Sequence, residues 1–226
     1  MILLYRAHWS TNCERVALAL AHKGIAVESV VIEYTDRSPV ERVSGQPLVP
    51  VIVDAGEVIH DSTRILRHLE ERHPEPRLFP VHDPARAELD VFLEWFNEVW
   101  KQAPNTIEEE LEGEQPDERV IERCVGLMRS RLDLFERLLA DREYLLVDDL
   151  SAADCVAFPF LKYARIRDPE DTELFHRILE ERQDLGDDHP RLAAWIDRVD
   201  ARPRAYGASV DSASDAPHGR RPGAPE

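Results

Sequence analysis

The sequence predicts an α/β domain followed by an all-α helical bundle, and three observations carry that expectation. Residues 46–68 read as strand, tight turn, strand and helix, closing a sheet begun by a strand–helix–strand pattern at the start of the chain. Residues 74–85 hold several prolines and no periodicity, which marks a linker. From Arg86 onward apolar residues recur at helical spacing. The expected units are 1–76 (α/β), 77–85 (linker), 86–206 (helical) and 207–226 (disordered tail). A chain of 226 residues is long enough for two compact units.

Ile2 to Arg6 reads as a short buried strand. A polar loop, His8 to Cys13, leads into a helical run from Arg15 to Lys23, and Gly24 stops it as a C-cap. Ala26 to Ile32 is the next strand, apolar enough to be buried on both faces. Asp36 to Val43 reads as a short helix or irregular turn. Leu48 to Val53 is a β-branched run interrupted by Pro50, and a proline there marks an edge, a bulge or a cis bond. Asp54-Ala-Gly-Glu57 supplies a turn with a glycine free to take positive φ. Val58 to His60 returns, and Asp61 or Ser62 caps a helix through Ile65, Leu66 and Leu69. This β-α-β-α-β-β-α order is thioredoxin-like.

In the second half, Leu89, Phe92, Leu93, Phe96, Val99 and Trp100 form one apolar stripe, and Pro104 ends or kinks that helix. Glu108 to Glu118 reads as a charged, solvated connection. Val120 to Leu139 forms a second long amphipathic helix. Ser151-x-x-Asp154, followed by an apolar run through Pro159, reads as a capping box on a buried helix that continues from Lys162 to Arg167. Asp171 to Arg182 and Pro190 to Val199 give two more helices. From Ala208 the Ser, Asp, Gly, Pro and Arg mixture reads as low complexity.

Twenty-eight basic against 45 acidic residues leave a net charge of −17, which argues against nucleic acid or an anionic membrane as the main partner. No apolar run approaches the ~20 residues of a membrane helix, and Arg6 and His8 interrupt the N-terminal apolar residues too early for a signal peptide. Cys13, Cys124 and Cys155 form an odd, widely spaced set, so no disulfide framework is expected. A cytoplasmic protein is the default. Asp148, Asp149 and Asp154 have no accompanying His, so no metal site is expected.

Val49-Pro50 before a strand, then a hairpin, then Asp61-Ser62 opening a helix, resembles the glutathione site of the glutathione S-transferases. The resemblance implies that Pro50 is a cis-proline and that the main chain of Val49 pairs with the cysteinyl part of glutathione, in the manner of an added strand. It also implies that Asp61 takes the γ-glutamyl ammonium while Ser62 and its amide take the carboxylate at a helix start. Family members more often have Glu before the Ser. Serine-type members place Ser five residues before an Arg-Val pair, and Ser10 stands so before Arg15-Val16. Ser10 is thus implied to donate to the thiolate, lowering the thiol pKa so that the sulfur attacks a small hydrophobic electrophile. Two flanking helices of the second domain are implied to border that substrate's cleft, with Trp9, Trp95 and Trp100 as candidates, each also readable as core. A cytosolic homodimer that detoxifies electrophiles with glutathione as cosubstrate is the family's habit.

The chain departs from the pattern at Thr11, where Pro or Ser is usual. Ser10-x-x-Cys13 resembles a glutaredoxin motif without its first cysteine, which leaves thiol reduction through Cys13 as an alternative. Thr11 to Glu14 also fits a plain capping box, with Ser10 merely preceding it. Tyr5 is a further catalytic candidate, though a mid-strand tyrosine also fits core packing. A glutathione-binding module without turnover is the third reading, since fold-level likeness does not settle activity.

Overall fold

The computed structural model describes residues 1–210. Its sheet runs in the order β4-β3-β1-β2-β5. β1 (Ile2–Arg6) lies parallel to β2 (Val27–Val31), with Tyr5 beside Val30, and antiparallel to β3 (Val51–Asp54), with Tyr5 opposite Val51. β4 (Glu57–His60) returns antiparallel to β3 through a turn in which Ala55 and Gly56 both have positive φ. α1 (Thr11–His22) and α3 (Ser62–Arg72) pack on one face, and α2 (Ser38–Ser44) covers the other. With the helices that follow, this is a thioredoxin-like domain joined to an all-helical one.

The third strand begins at Val51 rather than Leu48. Gln46 takes the place of a ladder partner: its Oε1 accepts the Leu48 N–H (2.7 Å) and its Nε2 donates to the Leu48 carbonyl (2.9 Å). The helical part comprises α4 (Ala85–Trp95), α5 (Gln102–Glu112), α6 (Glu118–Leu138), α7 (Ala152–Leu161), α8 (Leu174–Arg182) and α9 (Pro190–Asp200). Between α4 and α5 lies a π-helical turn, Phe96–Trp100, in which the Lys101 N–H donates to the Phe96 carbonyl five residues back.

Several expectations need correction here. Pro104 does not itself end a helix: the break expected there comes just ahead of it, at the π-turn, and Pro104 sits in the first turn of α5, where its missing N–H would have had no helical partner anyway. Glu108 to Glu112 is helix rather than loop, because glutamate is a good helix former and buried Ile107 anchors the segment. The buried helix stops at Leu161 and gives way to a 3-10 turn over Lys162–Ala164, as Lys162 turns to pair with Glu14 at 2.6 Å. Asp171 is not helical; its carboxylate accepts from Tyr163 Oη (2.9 Å) and His176 Nδ1 (2.7 Å), and α8 starts at Leu174.

The largest correction concerns residues 207–210, expected to be disordered. Ala208–Ser209 form β5, parallel to β2, and the Val210 N–H donates to the Ser29 carbonyl (2.8 Å). Gly207 makes this approach possible: a Cβ on it would lie 1.8 Å from the Val27 carbonyl oxygen. The rest of the expected tail, 211–226, lies outside the described residues.

One apolar core continues from the sheet (Leu4, Ile52) through α1 and α3 (Val16, Leu20, Leu66) into the bundle (Phe96, Trp100, Phe135, Phe158, Trp195). Ser151 and Asp154 form the expected capping box. No helix among the described residues is long and apolar enough to cross a membrane.

Candidate functional site

α3 starts on Asp61, whose Oδ1 accepts the Arg64 N–H at 2.9 Å. Asp61 holds φ 72°, ψ 122°, a region that a residue with a Cβ rarely enters and that costs about 1–3 kcal/mol. Strain of that kind collects where the backbone serves a site. Ser62 is 5% exposed, and its Oγ accepts from Arg15 Nη1 at 3.2 Å. A hydroxyl has one proton and two lone pairs, so this leaves the Ser62 proton free to be donated outward.

Val49 precedes a cis peptide bond to Pro50. Its main-chain N–H and C=O make no hydrogen bond to another described residue. Val49, Pro50, Asp61 and Ser62 line one cavity of about 430 Å³ together with Asn12, Arg15, Gln46, Leu48, His60, Thr63, Asn97, Glu98 and Lys101.

Ser10 is placed differently. It is the N-cap of α1, in extended backbone, and its Oγ accepts the Cys13 N–H at 3.2 Å. Thr11 is therefore already helical, and the Thr11–Glu14 capping box does not form. Glu14 instead binds Lys162 (2.6 Å) and Arg204 (3.0 Å) from the helical part. Ser10 borders a second cavity of about 180 Å³, lined by Arg6, His8, Trp9, Glu14, Lys162, Tyr163 and Tyr206. The structure thus gathers four of the five expected residues at one cavity and puts Ser10 on the next. Trp9 lines that second space, whereas Trp100 is core and Trp95 packs on Phe92 and Phe135.

Neither Cys13 nor Tyr5, the other catalytic candidates, lines either cavity. Cys13 is 1% exposed, and burial pushes its thiol up to about 11, against the thiolate that redox exchange requires. Tyr5 lies in the sheet core with Val30, Val40 and Val51, and burial raises its hydroxyl pKa.

Sequence reasoning missed Arg15, Asn97 and Lys101 as cavity residues. Arg15 is 1% exposed: Nε donates to the Val156 carbonyl (3.1 Å), Nη1 also donates to Asn97 Oδ1 (2.9 Å), and the guanidinium lies over Phe160 (4.7 Å). Asn97 Nδ2 in turn donates to Thr63 Oγ1 (3.0 Å), tying the π-turn to α3. Burial lowers Arg15 to about 9 and Lys101 to about 8, each partly offset by Asp61. The readable signal was an arginine in an otherwise apolar helix and a polar pair, Asn97 and Lys101, interrupting the apolar stripe.

Known proteins share both halves of this chain. The model described as "Glutathione S-transferase, N-terminal domain" matches residues 4–77, and "Glutathione S-transferase, C-terminal domain" matches 118–198. The chain is 26% identical to glutathione S-transferase F10 of Arabidopsis thaliana, over 89% of this chain and 94% of that one. It is 25% identical to a stringent starvation protein A homolog of Coxiella burnetii, over 71% and 75%. Among solved structures, a glutathione S-transferase from Rhodospirillum rubrum F11 superposes with a TM-score of 0.71 at 28% identity, covering 91% of this chain and 90% of that one. With both halves matched and the fold shared, the chain belongs to the glutathione S-transferase family.

Proposed function

We propose that the protein binds glutathione in the 430 Å³ cavity and steadies its thiolate for attack on, or isomerisation of, a small electrophile. The observation that carries this reading is the bare main chain of Val49 set on the same cavity as Asp61 and Ser62. Val49 pairs with the cysteinyl backbone, Asp61 takes the ammonium, and Ser62 donates to the γ-glutamyl carboxylate. Ser10, whose lone pair already serves Cys13, has its proton available for the sulfur. In the transfer reaction the thiol proton leaves to solvent, the sulfur–carbon bond forms, and the electrophile's leaving group departs or its conjugated system takes the electron pair. The homodimer is part of this proposal, and sedimentation velocity tests it.

The test is a calorimetric titration with glutathione, the bound thiol's ionisation followed by thiolate absorbance, and turnover across several electrophile classes. Saturable binding with a thiol pKa at least ~1 unit below that of free glutathione supports the reading. Absence of binding overturns it. A second reading, a glutathione-binding module without turnover, is favoured by Ser10 lining a different cavity from the other four residues, and by a relative whose name states no transferase activity. Binding with an unshifted thiol and no turnover selects it.

A further inference from the structure

Arg6 ends β1 on the cavity that Ser10 borders, and its charge is left over there. The Ile32 N–H fixes its backbone by donating to the Arg6 carbonyl at 2.7 Å. Its guanidinium lies 4.6 Å from the centre of the Tyr206 ring, and Nε donates to Ser29 Oγ at 3.3 Å. Ser29 Oγ in turn donates to the Tyr206 carbonyl, so the residue that stacks on the guanidinium is itself tied down. Nη1 and Nη2 of Arg6 make neither a hydrogen bond nor an ion pair with a described residue.

The acids around this cavity are already answered. Glu14 has one oxygen on Lys162 (2.6 Å) and the other on Arg204 (3.0 Å). Tyr163 gives its proton to Asp171 (2.9 Å), an acid that His176 also binds (2.7 Å) and that does not line the cavity. A chain with a net charge of −17 thus keeps one unanswered guanidinium beside Ser10. A forked donor with two free nitrogens matches a carboxylate in shape as well as in charge. Trp9 and Tyr163 add aromatic walls, which suit a flat π system. At about 180 Å³ the space is smaller than the ~300–1,000 Å³ of clefts for drug-sized ligands, so its guest is small.

We propose that Arg6 is a specificity-determining residue, selecting as second substrate a small planar electrophile that carries a carboxylate on its ring. This rests on the glutathione reading above and deepens it by naming the class of electrophile. The guest lies against Trp9 and Tyr163, with its carboxylate on the Arg6 fork and its reactive carbon toward Ser10, where the glutathione sulfur is held. For a chlorinated ring the step balances simply. The sulfur–carbon bond forms, the carbon–chlorine bond breaks with its electron pair leaving on chloride, and the thiol proton goes to solvent. A neutral ring of the same shape keeps the stacking but leaves Arg6 unanswered, and charge-assisted contacts are roughly twice as strong as neutral ones. The small hydrophobic electrophile implied by the family is thereby narrowed to an anionic one.

The experiment uses the full chain and two matched pairs of rings. The reactive pair is 4-chloro-3,5-dinitrobenzoate and its uncharged carboxamide, each rate divided by that of the uncatalysed reaction with glutathione. The unreactive pair, 3,5-dinitrobenzoate and 3,5-dinitrobenzamide, is titrated by calorimetry. Wild type should favour the carboxylate over the carboxamide ~tenfold or more, both in kcat/KM (chiefly through KM) and in affinity. Arg6→Met should bring both ratios to within ~twofold of unity, and Arg6→Lys should recover part of each, since an ammonium keeps the charge but loses the fork. Reading ratios removes any general loss of activity or of folded protein. Wild-type ratios near unity, or ratios that survive in Arg6→Met, overturn the proposal. The glutathione reading fails separately. A carboxylate preference in the unreactive pair that Arg6→Met abolishes, with no turnover and no shift of the glutathione thiol, leaves anion recognition standing and removes the thiolate chemistry. Turnover of both reactive rings at equal relative rates keeps the thiolate chemistry and removes the role of Arg6.

Discussion

Two helix starts in this protein are built from the same residue types and do opposite things. At α7, Asp154 Oδ2 accepts from the Ser151 N–H (2.9 Å) and Oγ (2.8 Å), while Oδ1 accepts from the Leu145 N–H (3.0 Å) and Trp195 Nε1 (2.8 Å). Both residues are buried, and the carboxylate's four bonds come from its own chain. At α3, Asp61 is exposed and only one of its oxygens is used by a described residue. Ser62 keeps a proton to give, and the neighbouring arginine has an idle nitrogen. A saturated cap holds a fold together; a half-used one is a receptor. Counting leftover donors and acceptors separates the two where residue identity does not.

The contrast can be broken at either end. Removing the saturated carboxylate, Asp154→Ala, strands several buried donors and should cost about 3–4 kcal/mol in chemical denaturation. A loss below ~1 kcal/mol would mean that the α7 cap is redundant. Asp61→Asn keeps the cap on Arg64 but removes the charge. It should change stability by under ~0.5 kcal/mol and weaken glutathione ~10- to 100-fold in titration; intact affinity would show that Asp61 is only a cap. Ser10→Ala should raise the pKa of the bound thiol by ~1 unit, so that turnover at neutral pH drops ~tenfold while glutathione affinity moves less than ~threefold. An unchanged thiol pKa would remove Ser10 from the chemistry.

The smallest effect concerns pH. Lys101 titrates near 8 in the fold, below its ordinary value, because burial disfavours the ammonium. As pH rises through that value its charge disappears from the wall of the cavity that Val49, Asp61 and Ser62 line, so glutathione affinity should fall ~few-fold more above pH 8 in wild type than in Lys101→Met. The ligand's own ammonium titrates alike in both, so parallel curves would exclude Lys101 from the contact.

Much of this was legible in the sequence because it is local. Pro50 in a β-branched run, Ala55-Gly56 at a turn, and Ser151 three residues before Asp154 announce themselves within a few positions, and the structure has each feature at the expected place. The cations at the cavity were not legible, because Arg15, Asn97 and Lys101 meet only after the π-turn rotates one helix against another. The loss of helix at Lys162 and the use of Glu14 were hidden for the same reason: their partner lies 148 residues away. The strand at Ala208 was misread because composition reports what a segment favours alone, not an open ladder waiting beside it.

That strand has a consequence for handling the molecule. With β5 seated along β2, the rim opposite β4 is a two-residue strand, Ala208–Ser209, in place of the five-residue β2. Shortening the protein before Gly207, or crowding that glycine with a larger residue, would uncover a row of unpaired amides and carbonyls at β2. Such a row is a template on which other copies stack, so the trimmed protein should tend to precipitate even while its helices stay intact.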